Sequence, residues 1–321
     1  MLIKPNDKKI RYTGRWNVTE DRATSTANGN YFEFLYKGEC AVIGFDISYT
    51  RMPFPHVYVS VDDGANIEVS LDRFVRISAE DGEHKVTVIM KSSVETQHRW
   101  FSPIEAKVTL LSIEAEEVLQ LPPDTRKTIE FIGDSITEGI AIDSGYVYHG
   151  ENRDMVYWDD STAGYAWRTA KVLNLRPMTM GYGYLGTTRE GGGGIPPVGK
   201  SYGFYSDGYP MESNNADFIV INHGTNDRNA DAELFKEKYF EFLQIVRDRN
   251  QNSKIIALTP FSGCLAKEIC EVVEKYNCEF NDDVFYIDST GWIAPEPVHP
   301  TRAGHKKVCE HLSEIIKEKF L

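Results

Sequence analysis

The chain has 321 residues, and its 41% hydrophobic and 26% charged content is typical of a globular protein with room for two domains. Its net charge of −13 argues against nucleic acid and anionic membranes as partners, because both select basic surfaces. The first residues lack the apolar run of a signal peptide, no stretch approaches ~20 apolar residues, and the five cysteines have no metal-site spacing. We therefore expect a cytoplasmic protein without a membrane span.

The first third of the chain consists of short runs with the period of β-strands. From Arg15 to about Glu117, runs rich in Val, Ile, Tyr and Phe are separated by turn signals such as DDGAN and EDGEH. The runs are YFEFLY, CAVIGFDISY, HVYVSVDD, IEVSLD, FVRISA, HKVTVIMK and AKVTLLSIEA. This pattern predicts an N-terminal, jelly-roll-like β-sandwich over residues 1–120.

A double proline in QLPPDTRK, residues 120–127, marks the predicted domain boundary. Over residues 127–321, short apolar strands alternate with amphipathic helices. The strands are TIEFIGDS, DFIVINHGTND, KIIALTP and VFYIDS; the helices are AGYAWRTAKVLN, AELFKEKYFEFLQIVRDR, LAKEICEVVEKYN and RAGHKKVCEHLSEIIKEKF. The alternation predicts an α/β domain whose parallel sheet is covered by helices on both faces.

Three polar motifs lie at the carboxyl ends of these strands, where α/β sheets bind ligands. Ser135 lies in EFIGDSITEGIA, Asn226 in HGTND, and His299 in EPVHPTRAGH just before the last helix. Taken alone, Ser135 could simply cap a helix, since Ser and Asp are good N-caps. With an imidazole to take its proton and an amide to hold an oxyanion, it instead meets the requirements of a nucleophile in acyl transfer.

The motifs GDSITEG, GTND and EPVHPTRAGH stand in the order found in SGNH, or GDSL-type, hydrolases, and residues 129–321 resemble that family. The resemblance implies a flavodoxin-like three-layer fold, with Ser135 as nucleophile and His299 as general base and then acid. It also implies an oxyanion hole made of the Ser135 backbone N–H, the Asn226 side chain and one further backbone N–H.

Two positions depart from the family pattern. The family usually has an aspartate three residues before the histidine, where this chain has Glu296. We interpret Glu296 as the acid that orients His299; a solvated loop acid, with a main-chain carbonyl serving a Ser–His dyad, is the alternative. The family's glycine block falls on GYLG, which places the usual oxyanion-hole glycine at Tyr184, whereas a shifted alignment uses Gly186.

Two long tyrosine-rich segments, residues 143–162 and 189–211, flank the predicted site. Loops of this length within a domain are usually functional or disordered. Their aromatic faces and polar neighbours suit a sugar ring, and Trp158 and Tyr148 are the candidate contacts. A lipid chain would need an apolar slot that neither segment offers, so a small acyl group, acetyl first, is favoured.

The order of sandwich and hydrolase domain resembles carbohydrate esterases of the second family. Within the sandwich, DGEHKVTVIMKSSVE resembles that family's segment leading to a lysine and a glutamate, here Lys91 and Glu95. The resemblance implies a serine esterase that removes acetyl groups from xylo- or manno-oligosaccharides. The alternatives are a thioesterase or lysophospholipase on the same fold, and a carbohydrate-binding protein with a decayed site.

The other polar residues near the motifs are assigned structural roles. We expect Asp134 to brace its turn, Asp227 to bind backbone near Asn226, and His223 to pack. GYGYLG also matches the G-x-G-x-x-G pattern, but the glycines and prolines that follow cannot form the helix that a dinucleotide site needs. Because the chain also lacks H-E-x-x-H and clustered metal-ligand spacing, we expect neither cofactor nor metal.

Overall fold

The computed structural model describes residues 1–143, 156–213 and 215–321 and contains two large sheets of opposite character. The first is antiparallel and ends at Leu119, and the second is parallel and begins at Thr128. The architecture therefore changes within the QLPPDTRK segment, where the sequence predicts the domain boundary. No helix in the described ranges is long and apolar enough to cross a membrane.

Ten strands form the antiparallel sheet, which folds into the predicted β-sandwich. Their main order is β3-β4-β10-β5-β9-β6-β7, with β1 added to β10 and both β2 and β8 added to β5. The strands are β1 Leu2–Ile3, β2 Arg11–Thr13, β3 Asn17–Val18, β4 Ala23–Ser25, β5 Tyr31–Phe45, β6 His56–Val61, β7 Ile67–Ser70, β8 Phe74–Ser78, β9 Glu83–Ser92 and β10 Val108–Leu119.

The long strand β5 holds the sandwich together. It unites two runs that the sequence separates, YFEFLY and CAVIGF, into one strand of 15 residues. Alternate apolar side chains along it, including Phe32, Phe34 and Ile43, are buried in the core between the layers. Strands β1 to β4 have only two or three residues each, too few for a periodic pattern, and the sequence does not predict them.

The parallel sheet has the order β12-β11-β15-β16-β17. Numbered from its own first strand this is 2-1-3-4-5, the flavodoxin-like order, so the predicted fold class is confirmed. Its topological switch point lies between β11 and β15, which both bury every residue. These strands are β11 Thr128–Gly133, β12 Arg176–Gly181, β15 Phe218–Asn222, β16 Lys254–Leu258 and β17 Phe285–Ile287; β13 Phe204–Ser206 and β14 Tyr209–Pro210 form a separate hairpin.

Helices cover both faces of this sheet. The second and sixth pack on one face, and the fourth and fifth on the other. The fourth helix is amphipathic, as predicted, and its buried face includes Phe235, Tyr239, Phe242 and Val246. The helices are α1 Ser135–Glu138, α2 Tyr165–Val172, α3 Val198–Ser201, α4 Ala232–Arg249, α5 Ala266–Phe280 and α6 Arg302–Phe320.

One strand of the parallel sheet, β12, is not predicted from the sequence. It contains Pro177, which argues against a central strand, and it has only six residues. In the structure β12 is an edge strand paired with β11 alone, which is where a sheet tolerates proline. Its Thr179 hydroxyl bonds to the Asn28 carbonyl, so this edge faces the sandwich.

Buried polar contacts join the sandwich to the α/β domain. Arg15 donates to the carbonyls of Tyr202 and Phe204, both at 2.7 Å. Lys91 donates to the carbonyls of Val156 and Tyr157, at 3.1 and 3.2 Å. Both cations are almost fully buried. Since a buried charge is tolerated only where it is well paired, these contacts hold the two domains in one arrangement.

Candidate active site

Ser135 lies where β11 ends and α1 begins. Asp134 caps this one-turn helix, with its carboxylate accepting the Ile136 N–H at 2.9 Å. Burial, reinforced by the charge of Asp227, raises the pKa of Asp134 to about 7. The helix ends at Gly139, whose φ of 84° is a left-handed conformation. The strand, the cap and the short turn together present the Ser135 hydroxyl at the carboxyl edge of the sheet.

His299 reaches the same point from the other end of the domain. It lies in the loop between β17 and α6, and its Nε2 is 2.8 Å from Ser135 Oγ. The two residues are 164 positions apart in sequence, so only the folded sheet brings them together. At this distance an imidazole can accept the proton of a hydroxyl during nucleophilic attack.

The structure does not bring Glu296 to His299. The Glu296 side chain is exposed to solvent, and within the described residues no hydrogen bond or ion pair links it to the imidazole. A carboxylate orients a catalytic histidine through a hydrogen bond to the second ring nitrogen. The orienting role that the sequence predicts for Glu296 therefore has no contact to support it in this arrangement.

Asn226 lies after β15, next to the switch point. It is half-buried, and its Nδ2 donates to the Leu185 carbonyl at 3.1 Å. A side-chain amide carries two N–H groups, so one orients Asn226 and the other can serve an oxyanion. The neighbouring Asp227 is buried and accepts the backbone N–H groups of Thr187 and Thr188 at 3.0 and 2.8 Å. Asp227 thus binds backbone close to Asn226, as the sequence predicts.

The loop of residues 183–188 carries both alternatives for the last oxyanion donor. Tyr184 has a φ of 62°, a left-handed conformation that is uncommon for a residue with a side chain. Gly186 donates its N–H to the Arg189 carbonyl at 3.2 Å, so its use as an oxyanion donor would require that bond to break. A Cβ at Gly186 would lie 2.6 Å from Asp227 Oδ1, which explains the glycine there without an oxyanion role. The assignment of the last oxyanion donor to Tyr184 stays a prediction.

The structure describes one of the two predicted sugar contacts, and neither is tested as a contact. Trp158 is half-buried and packs against Tyr157, with ring centroids 5.1 Å apart. Two residues further on, Asp160 donates its N–H to the Gly139 carbonyl at 2.9 Å, which places this segment beside the end of α1. Tyr148 lies outside the described residues.

Two other histidines near the motifs are buried and neutral. Burial lowers the pKa of His223 to about 4 and that of His305 to about 3. His223 packs edge-on against Phe242, while His305 Nδ1 accepts the Tyr165 N–H at 3.1 Å. Within the described residues no group of three or more His, Cys, Asp or Glu is placed to hold a metal ion.

Glu138 has no role predicted from the sequence, although it lies within GDSITEG. Its side chain is fully buried, and burial raises its pKa to about 7 against the opposing charge of Arg99. An acid inside the apolar run ITEGIAI is a signal that could have identified it, because a buried acid needs partners. Its partner Arg99 lies 39 residues upstream in the other domain and carries no comparable signal.

The chain is similar to known esterases in sequence and in fold. No family model matches the chain. It is 28% identical over 231 residues to the cellulase/esterase CelE of Acetivibrio thermocellus, covering 64% of this chain but only 27% of CelE. A family two carbohydrate esterase from Cellvibrio japonicus superposes with a TM-score of 0.81 at 21% identity, over 99% of this chain and 97% of that one.

The acetyl xylan esterase Est2A from the rumen bacterium Butyrivibrio proteoclasticus gives a TM-score of 0.79 at 20% identity, over 99% of this chain and 98% of its own. Both superpositions extend over the sandwich and the α/β domain together. The chain therefore has the two-domain fold of family two carbohydrate esterases, and the resemblance drawn from its sequence is confirmed at that level.

Proposed function

We propose that this protein is a serine esterase that removes acetyl groups from carbohydrate, with acetylated xylo- or manno-oligosaccharides as its substrates. The observation that carries the proposal is the 2.8 Å contact between Ser135 Oγ and His299 Nε2 at the edge of the sheet. The names of the relatives support the substrate class, since they are a cellulase/esterase, a carbohydrate esterase and an acetyl xylan esterase.

The proposed reaction proceeds through an acetyl-enzyme. Ser135 Oγ attacks the ester carbonyl carbon while His299 Nε2 takes the hydroxyl proton. The resulting oxyanion is held by Asn226 Nδ2, the Ser135 N–H and the Tyr184 N–H. When the C–O bond to the sugar breaks, His299 gives the proton to the departing sugar oxygen, which leaves as a hydroxyl group. Water, deprotonated by His299, then attacks the acetyl-serine, and acetate leaves as Ser135 regains its proton.

The surroundings of the pair favour a sugar over a lipid. The ring of Tyr157 is 45% exposed and, with Trp158, forms an aromatic surface beside α1. Buried acids, among them Asp134, Glu138 and Asp227, lie close to the Ser135 end of the sheet. This composition suits a small acyl group on a polar alcohol.

Acetate release from acetylated xylo- and manno-oligosaccharides tests the proposal. It is measured beside hydrolysis of 4-nitrophenyl acetate and 4-nitrophenyl octanoate, for wild type and Ser135→Ala. Ser313→Ala is the matched control, because Ser313 is a buried serine of α6 whose hydroxyl donates to the Cys309 carbonyl of the same helix. We expect acetate release that disappears in Ser135→Ala and persists in Ser313→Ala.

The other outcomes have distinct meanings. Hydrolysis of octanoate alone would replace the proposal with a lipid or thioester hydrolase. An absence of Ser135-dependent activity on every substrate would contradict an esterase and leave a carbohydrate-binding protein.

A further inference from the structure

Glu138 connects three separate parts of the molecule. It is the last residue of α1, one turn after Ser135, and its side chain is fully buried. Its Oε2 accepts the Gly183 N–H at 2.7 Å, at the start of the 183–188 loop. Its Oε1 accepts Asn28 Nδ2 at 2.9 Å and also Arg99 Nη1, both from the sandwich. One carboxylate therefore bridges the nucleophile helix, the loop and the other domain.

The sandwich residues that bind Glu138 are themselves fixed. Arg99 uses its Nη2 to bind the Ser93 carbonyl at 3.1 Å, so the two ends of its guanidinium have different partners. Asn28 accepts the Ser93 hydroxyl at 3.0 Å through its Oδ1. The Arg99 and Glu138 side chains have no exposed area, which makes theirs a fully buried ion pair. A buried donor or acceptor without a partner would cost free energy, so this ion pair is stable only in one geometry.

The glycine-rich stretch near residue 192 packs closely against the sandwich. A Cβ at Gly183 or at Gly192 would collide with Glu95, and one at Gly193 would collide with the Gln97 carbonyl. Gly192 donates its N–H to the Gly183 carbonyl at 2.7 Å. The glycines therefore let the backbone at residues 183 and 192–193 lie directly against residues 95–97 of the sandwich.

We propose, building on the esterase function above, that Glu138 is a positioning residue for the oxyanion-binding side of the site. Through the Gly183 N–H it fixes the 183–188 loop, and Arg99 and Asn28 hold Glu138 in place. This loop carries Tyr184 in its left-handed conformation and the Leu185 carbonyl that orients Asn226. The sandwich is then a support of the active site itself, in addition to any contact it makes with substrate.

Two double variants separate the positioning role from simple loss of a buried charge. Arg99→Met/Glu138→Gln removes both charges but keeps an amide oxygen for the Gly183 N–H. Arg99→Met/Glu138→Met has nearly the same shape and no acceptor. The NH₂ group of the introduced Gln can still find an acceptor. If the Asn28 amide turns over, its Oδ1 accepts from the Gln and its Nδ2 donates to the Ser93 hydroxyl.

We expect Arg99→Met/Glu138→Gln to keep kcat within about threefold of wild type. In Arg99→Met/Glu138→Met we expect kcat to fall by about 10- to 100-fold with KM unchanged, as misplaced oxyanion donors would cause. Amide hydrogen exchange of the peptide that spans residues 183–188 is measured in parallel, and we expect it to be faster only in the Met/Met variant. Equal kcat and equal exchange in the two variants would overturn the inference.

The exchange measurement separates this inference from the proposed function. If the wild type hydrolyses no acetyl ester, the proposed function fails, while protection of the loop still reports whether Glu138 fixes it. If Arg99→Met/Glu138→Met does not fold, Arg99→Met/Glu138→Leu, which also lacks an acceptor for the Gly183 N–H, replaces it. Exchange at 183–188 that is faster in this variant than in Arg99→Met/Glu138→Gln supports the inference, and equal exchange overturns it.

Discussion

Two buried carboxylates, Asp227 and Glu138, hold opposite ends of the 183–188 loop. Asp227 follows β15 and accepts the N–H groups of Thr187 and Thr188 together with the Thr188 hydroxyl. Glu138 follows β11 and accepts the Gly183 N–H. Both acids therefore come from the two strands that flank the switch point, and both turn toward the same loop.

The two acids differ in the origin and the charge of the other groups that donate hydrogen bonds to them. The donors that the structure gives Asp227 are neutral and belong to its own domain. Glu138 instead depends on Asn28 and on the cation Arg99, both from the sandwich. The difference teaches that one end of the loop is fixed locally, whereas the other is fixed only when the two domains are packed together.

The largest effect should come from breaking the buried ion pair on one side. Glu138→Met leaves the Arg99 guanidinium buried without its counter-ion, which costs about 3–5 kcal/mol of the free energy of unfolding. We expect this loss in urea denaturation at pH 8, above the raised pKa of Glu138, monitored by tryptophan fluorescence. Arg99→Met/Glu138→Met should recover most of it, because replacing both charges with apolar groups is often neutral.

That recovery is the control for the comparison. If the double variant is as unstable as Glu138→Met, the loss comes from packing and not from the unpaired charge. The ion pair would then contribute little, and the distinction between Glu138 and Asp227 would lose its physical basis.

The pH dependence of stability should differ between wild type and Glu138→Gln. Burial raises the pKa of Glu138 from 4.5 to about 7, so the folded protein holds this proton more tightly than the unfolded chain. Its contribution to stability is therefore complete below pH 4.5 and is lost as the pH rises to 7. We expect the free energy of unfolding of wild type, minus that of Glu138→Gln, to fall as the pH rises across this range.

Urea denaturation at intervals between pH 4 and pH 8 measures this difference. A difference that rises with pH would mean that attraction to Arg99 outweighs burial and keeps Glu138 ionised.

A smaller effect should follow from the local end of the loop. Asp227→Asn replaces one acceptor oxygen by an NH₂ group that faces a backbone donor, which costs about 1–3 kcal/mol of the free energy of unfolding. We also expect kcat to fall by about tenfold, since Thr187 or Thr188 is released. Asp231→Asn is the control: Asp231 is the exposed N-cap of α4, where Asn and Asp are equivalent. Equal stability of the two variants would contradict the role given to Asp227.

The sequence predicts the parts of the fold that have local signals. The apolar runs of β11 and β15, the amphipathic α4 and the motif residues Ser135 and His299 each stand in a few consecutive positions, so periodicity and spacing suffice. The convergence of the motifs at one edge then follows, because parallel strands place their carboxyl ends together, whereas the flavodoxin-like strand order was implied only by the family resemblance.

What the sequence does not predict depends on contacts between distant segments. Arg99 is one charged residue among many in the chain, and only the folded interface shows that it is buried against Glu138. The edge strand β12 is hidden by Pro177, since the effect of a proline depends on which strands lie beside it. The left-handed conformation of Tyr184 is likewise not predicted, because the residue is not a glycine, which is the usual sign of that conformation.

The smallest expected effect concerns Glu296, where a family pattern and the structure diverge. The side chain is exposed, and an exposed substitution that removes no contact changes free energies by about 0.5 kcal/mol or less. We therefore expect Glu296→Gln to change kcat by less than about threefold, similar to Glu314→Gln at an exposed site on α6. If Glu296 instead orients His299, kcat should fall by up to about 10⁴-fold, as loss of an orienting carboxylate does in other serine hydrolases. The size of this one effect decides between a Ser135–His299 dyad and a triad completed by movement of the loop before α6.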